Sequence, residues 1–149
     1  MDVLIIEDEE IAAERLESML TDIDPEVNVL AKPGSVKEAV SWLRVHTADL
    51  IFVDIQLSDG LSFAIFDEIP VSTPLIFTTA YDQYAIQAFK HNSISYLLKP
   101  IRKKELAESL GKFRRLKTAF GIDFGELRSV YQDGKKEYKK RFLVSIGEK

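Results

Sequence analysis

Cysteine is absent from the 149 residues, which excludes disulfides and thiolate metal sites and fits a reducing compartment. Also missing is any apolar run near the roughly 18 residues that a membrane-spanning helix needs. Met1-Asp2 leads into four apolar residues and then into acids, without the basic flank and longer apolar stretch of a signal peptide. The expectation is a soluble, cytoplasmic protein with no membrane partner. There is no internal repeat and no low-complexity tract.

What is present suffices for one domain of ordinary size with an appendage. Apolar residues make up 46% of the chain and charged residues 30%. The net charge of -4 conceals a division: residues 1–100 hold 17 acidic and 6 basic side chains, and residues 101–149 hold 7 acidic and 14 basic ones. An acidic body followed by a basic segment suggests a separate partner for the tail, although a merely solvated helix and linker would meet the same charge pattern. Charge alone supports only weak, salt-sensitive contact with nucleic acid there.

Along the chain, strand and helix patterns alternate. Val3-Leu4-Ile5-Ile6 is a short apolar strand, and the acids Glu7-Asp8-Glu9-Glu10 follow it at once. Ile11, Ala12, Leu16, Met19 and Leu20 then recur at helical spacing, with acids in the first turn where the helix dipole favours them. Asp24-Pro25 breaks this helix, and Val27 to Leu30 reads as a second strand. Ser35 and Glu38 have the spacing of a capping box ahead of a helix that carries Val36, Ala39, Val40, Trp42 and Leu43. Leu50-Ile51-Phe52-Val53 is a strand buried on both faces, as in a parallel sheet. A helix over Leu61 to Ile69 stops at Pro70, and Pro74 opens a strand over Leu75 to Thr78. Asp82 caps a fourth helix through Tyr84, Ala85, Ala88 and Phe89; Ser95 to Leu98 is a fifth strand. A last helix over 102–119 turns Leu106, Leu110, Phe113 and Leu116 inward. His46 and His91 fall at helix ends, away from any shared edge, and read as exposed. Five strands alternating with five helices imply an α/β fold, a parallel sheet covered on both faces.

In such a sheet the strand ends meet on one edge, where open α/β folds hold their ligands. Glu7 and Asp8 follow the first strand, Asp54 the third, Thr79 the fourth and Lys99 the fifth. One Asp alone could equally cap a turn; the set together is informative. Crowded carboxylates raise one another's pKa unless a cation joins them, and carboxylates with water and a phosphate oxygen are how Mg²⁺ is usually held. The arrangement suits phosphoryl transfer to a carboxylate, with Lys99 and Thr79 placed to hold the transferred oxygens. Alternation favours Thr79 over Thr78 for that place.

These residues resemble the receiver domain of two-component response regulators, over residues 1–119. The resemblance rests on Glu7-Asp8 after strand one, Asp54 after strand three, Thr79-Ala80 after strand four and Tyr96-Leu97-Leu98-Lys99-Pro100 at strand five. It implies a doubly wound, flavodoxin-like sheet of order 2-1-3-4-5 and a cis Lys99–Pro100 bond. It further implies that Asp54 accepts a phosphoryl group from a sensor histidine kinase, and that the protein is a regulator rather than an enzyme. Mg²⁺ would be held by Asp8, Asp54 and the main-chain carbonyl of Gln56, with Glu7 acting through water. Thr79 and Lys99 would bind the phosphoryl group, and Tyr96 would turn inward as Thr79 moves. The family's loop after the acceptor is usually longer and carries a proline; here Ser58 stands near that place and Gly60 is only six residues on.

Phe77-Thr78-Thr79-Ala80-Tyr81-Asp82 with Tyr96 to Ile101 is similar to the LytTR branch, whose members carry a β-rich DNA-binding domain. Tyr138-Lys139-Lys140-Arg141-Phe142-Leu143-Val144 is similar to the opening strand of that domain, and the chain stops at Lys149. The expected division is therefore a receiver over 1–119, a linker over 120–137, and the start of a truncated DNA-binding domain over 138–149. The expected output is a phosphorylation-dependent homodimer through the face of helix four, strand five and helix five. That face carries Tyr84 and Ile94 with Asp82, Lys103 and Lys104. DNA would be reached only through the full C-terminal domain. The alternative is a stand-alone receiver that relays phosphate or signal by protein contact. Other classes fit less well. A flavodoxin-like cofactor binder would need a phosphate cradle where Glu7 to Glu10 repel phosphate. An aspartyl phosphatase would want a second carboxylate where Gln56 stands.

Overall fold

Two runs of four apolar residues, Val3 to Ile6 and Leu50 to Val53, lie at the centre of a parallel sheet. The computed structural model describes residues 1–81, 83, 88 and 93–120. In it β1 (Asp2–Ile6), α1 (Glu10–Ile23), β2 (Asn28–Ala31), α2 (Val36–Val45) and β3 (Leu50–Asp54) alternate in chain order. A two-stranded hairpin follows, β4 (Gln56–Leu57) with β5 (Gly60–Leu61), and then α3 (Phe63–Glu68), β6 (Leu75–Thr79), β7 (Ser93–Leu98) and α4 (Lys103–Phe120). The main sheet has the order β2-β1-β3-β6-β7. Every neighbouring pair in it is parallel. With the hairpin set aside, this is the expected 2-1-3-4-5.

Strand alternation divides the core between the two faces. Val3, Ile5, Leu50, Phe52 and Ile76 pack with α1 and with Leu106, Leu110, Phe113 and Leu116 of α4. Leu4, Ile6, Ile51, Val53 and Phe77 pack with α2 and α3. Phe77 meets Phe63 at 5.4 Å and the edge of Phe66 at 6.3 Å between ring centroids. Each fully buried side chain of this size contributes about 1.5–3 kcal/mol, which is why the central strands need no polar residue until their ends.

Local signals act largely as expected. Pro25 follows the end of α1, and Ile69-Pro70 closes α3. Ser35 Oγ accepts from the Glu38 amide at 3.0 Å. The return bond of the box is displaced by one residue, because Glu38 Oε1 accepts from Gly34 N–H at 3.3 Å. His46 ends α2 exposed, stacked on Trp42 at 4.6 Å.

Some expectations need correction. Ile11 is 73% exposed: the buried stripe of α1 is Ala13, Leu16 and Leu20, and Ile11 lies about 140° round the helix from Leu16. Ile94 is buried in the core beneath α4, and the exposed apolar residue of that strand is Leu98, at its opposite end, at 44%. The stretch from Leu61 does not start as helix, since Gly60–Leu61 pairs back on Gln56–Leu57 and α3 begins only at Phe63. The second strand starts one residue late and the fifth two residues early. The expected fourth-helix residues Asp82, Tyr84, Ala85 and Phe89, together with His91 and the segment 121–149, lie outside the described residues. Among the described residues, no helix is long and apolar enough to cross a membrane.

Candidate functional site

Register explains why the strand ends converge. Ile6 pairs with Val53, so the next residues, Glu7 and Asp54, leave the sheet side by side. Asp54 in turn pairs with Thr78, and Thr79 with Leu98, so the following residue of β7, Lys99, emerges next to them. The Lys99 amide donates to the Thr79 carbonyl at 2.8 Å, and the Lys99–Pro100 bond is cis, as expected.

Lys99 joins two of the carboxylates. Its Nζ donates to Glu7 Oε1 at 2.6 Å and to Asp54 Oδ2 at 2.9 Å. The side chains of Glu7 and Asp54 are only 5% and 10% exposed, and that of Lys99 is 22% exposed. Glu7 Oε2 accepts from the Glu9 amide at 3.1 Å, and Asp54 Oδ1 from the Gln56 amide at 3.4 Å. Asp8 is exposed at the rim. One oxygen from each of Glu7, Asp8 and Asp54 fits within a span of 4.8 Å.

Burial dominates the electrostatics. It pushes the Glu7 carboxyl up to about 7, with the Asp54 charge adding to the rise and the bond from Lys99 opposing it. For Lys99, burial pulls the pKa down, but the bonds to Glu7 and Asp54 outweigh it and the ammonium is held more firmly than usual. Three carboxylates thus face one ammonium, and one of them, Glu7, is about half protonated at pH 7. An all-oxygen donor set with surplus negative charge and one open member fits a hard divalent cation such as Mg²⁺ and no soft metal.

The hydroxyl-bearing residues are arranged differently. Thr79 is fully buried, and its Oγ1 accepts from the Tyr81 amide at 3.3 Å. The Tyr96 hydroxyl donates to the Tyr81 carbonyl. Thr79 and Tyr96 are therefore linked through the backbone of one residue, Tyr81, which the sequence did not single out. Thr78 faces the same side as Asp54 and helps line a groove of about 510 Å³ with Glu7, Ile11, Arg15, Lys99 and Pro100.

Sequence reasoning also missed Asp59. Its two carboxylate oxygens accept from Val36 N–H at 2.7 Å and Lys37 N–H at 3.1 Å. The Val36 bond foremost holds the carboxyl below its usual range. The sequence offered only a turn signal: Ser58-Asp59 is the two-residue loop between the paired Leu57 and Gly60, and Gly60, next in the chain, has φ 141°.

Comparison with known proteins places these features together. Residues 3–111 match the family model described as the response regulator receiver domain. The chain is 35% identical over 118 residues to the sensory transduction protein LytT of Bacillus anthracis, covering 77% of this chain and 48% of that protein. It is 32% identical over 154 aligned positions to the transcriptional regulatory protein LytR of Staphylococcus aureus, covering 100% of this chain and 60% of that one. The chain thus spans about half the length of these relatives. Among solved structures, the response regulatory domain of MrkE from Klebsiella pneumoniae superposes with a TM-score of 0.68 at 25% identity, over 78% of this chain and 97% of that one.

Proposed function

Because this chain belongs to the response regulator receiver domain family, we propose that Asp54 is the phosphoryl acceptor of a two-component signalling protein whose output is transcription. The observation that carries the reading is the buried Asp54 carboxylate, paired with Lys99 beside Glu7 and Asp8. An Asp54 oxygen attacks the phosphorus of a phosphohistidine on a sensor kinase; the new P–O bond forms as the P–N bond breaks, and the imidazole leaves with the electron pair. Asp8, Asp54 and the Gln56 carbonyl would hold Mg²⁺, with Glu7 acting through water. When bound, the ion would neutralise the carboxylates and draw charge from the phosphoryl oxygens.

The chain's own groups do the rest. Lys99 holds Asp54 in place before transfer and afterwards pairs with a phosphoryl oxygen. Thr79 exchanges its bond from Tyr81 N–H for one to the phosphoryl group. That frees the Tyr81 backbone, and as it moves the Tyr96 hydroxyl loses its acceptor and turns inward. The groove beside the acids, with exposed Ile11 at its rim, is a surface on which the kinase can seat its phosphohistidine. The protein acts on no separate substrate, assists only its own phosphorylation and dephosphorylation, and works in the cytoplasm.

The output face is that of the expected fourth helix, β7 and α4 (the fifth strand and fifth helix expected from the sequence), of which Leu98, Lys103 and Lys104 are exposed. A symmetric homodimer through this face is the commonest outcome for such a patch. The receiver reading covers 1–119, with a linker over 120–137 and the first part of a LytTR-type DNA-binding domain from 138. The alignment to LytR, which runs through this tail, supports the division. The test is sedimentation with beryllofluoride and Mg²⁺. The wild type should shift toward a dimer, Asp54→Ala should not, and Thr79→Ala should shift less while still binding Mg²⁺. An unshifted wild type would defeat the switch.

A further inference from the structure

Resting on the receiver reading, we propose that Asp59 is a positioning residue for the metal site: by gripping the N-terminus of α2 it holds the hairpin that carries Gln56 against the acidic pocket. The β4–β5 hairpin has only two residues in each strand, and a ribbon that short has little stability of its own. Its base is closed by Ser62 N–H donating to the Ile55 carbonyl at 2.7 Å. Its tip is held by α2. Asp59 accepts from Val36 and Lys37 N–H at 2.7 and 3.1 Å, and Ser58 Oγ donates to the Gly34 carbonyl at 3.4 Å.

The Asp59 bonds are the strong ones, because a carboxylate there meets two amide donors and the positive end of the helix dipole. They are also separate from the helix's own cap, since Ser35 takes the next amide, that of Glu38, at 3.0 Å. The turn that leads into α2 is itself fixed to the acids. The Glu7 amide donates to the Pro33 carbonyl at 3.0 Å. A Cβ on Gly34 would stand 3.6 Å from both Asp8 Cα and the Glu7 carbonyl oxygen. Gln56 is therefore held at one end by its bond to Asp54 and at the other, through Asp59 and α2, by the Glu7–Asp8 backbone. Where the family's longer loop carries a proline, this chain uses a carboxylate clamped to a helix.

Titration calorimetry of the full chain with MgCl₂ tests the assignment. Asp59→Ala should weaken Mg²⁺ binding by roughly tenfold or more, the loss that follows removal of a group supporting a metal ligand. Asp59→Asn, which keeps one acceptor, should fall between that variant and the wild type. Ser35→Ala removes a cap from the same helix without touching the hairpin, and should keep the wild-type affinity. Hydrogen exchange at the Val36 and Lys37 amides should quicken in Asp59→Ala and not in Ser35→Ala. Equal affinity in Asp59→Ala and the wild type overturns the positioning role, as does an equal loss in Ser35→Ala. Asp8→Asn separates the two levels: it should abolish binding, and if it does not, the metal reading beneath this proposal fails.

Discussion

Replacing Lys99 by Met keeps the length and apolar bulk of the stem and removes only the ammonium. In the native chain that ammonium stands 2.6 Å from Glu7 and 2.9 Å from Asp54. Removing one partner of a buried ion pair costs about 3–5 kcal/mol, because the other charge is left unpaired. The full cost is not expected here, since Glu7 is already pushed up to about 7 and takes a proton readily. At pH 8 in a chelator, Lys99→Met should lose about 2–3 kcal/mol, a fall in melting temperature on the order of 10 °C for a domain of this size. Two conditions should shrink the gap. At pH 5 Glu7 is protonated in both proteins and the repulsion is largely gone. In Mg²⁺ at about 100 times the dissociation constant, binding adds about 2.7 kcal/mol, and the variant, with no ammonium competing, should gain more than the wild type. Urea denaturation under the three conditions measures this. The reasoning is refuted if Lys99→Met matches the wild type in chelator at pH 8, or if neither Mg²⁺ nor acid narrows the difference.

Two further outcomes follow from the same site and core. Glu7 sits near 7 against an ordinary 4.5, so the folded state holds its proton more tightly than the unfolded chain. Its contribution to stability is therefore complete below about 4.5 and is lost as pH rises through 7. Mg²⁺ affinity should run the other way, about tenfold weaker at pH 6 than at pH 8, because the proton competes with the ion. Titrations at both pH values check this, and Glu7→Gln should flatten the dependence. In the core, Phe52 is fully buried between α1 and α4. Phe52→Ala should cost about 3–5 kcal/mol in urea denaturation, while a loss under 1 kcal/mol would mean the cavity closes around it.

Much of this molecule was legible because its main signals are local. Apolar runs bounded by Pro25, Pro70 and Pro74 marked the strands and helix ends, and Glu7, Asp54, Thr79 and Lys99 each stand at the last residue of a strand or the one after it. A parallel sheet then brings Glu7, Asp54 and Lys99 together without further information. What escaped depends on contacts distant in sequence. Asp59 looked like an ordinary turn residue, and its helix partner lies 22 and 23 positions earlier. The link from Thr79 to Tyr96 runs through the backbone of Tyr81, which side-chain chemistry cannot signal. Ile11 was misjudged because periodicity marks a stripe, but the neighbouring elements decide which edge of it is covered; Ile94 was misjudged because the strand was expected to begin at Ser95 and in fact begins at Ser93.

The most direct measurement is the intact mass of the protein after incubation with acetyl phosphate and Mg²⁺. The account predicts a gain of one phosphoryl group, labile to base and to hydroxylamine, on the peptide that contains Asp54. That gain should be absent in Asp54→Ala and suppressed in Asp8→Asn or by a chelator. An equal gain in Asp54→Ala, or a phosphoryl group mapped to a hydroxyl residue elsewhere, would contradict it.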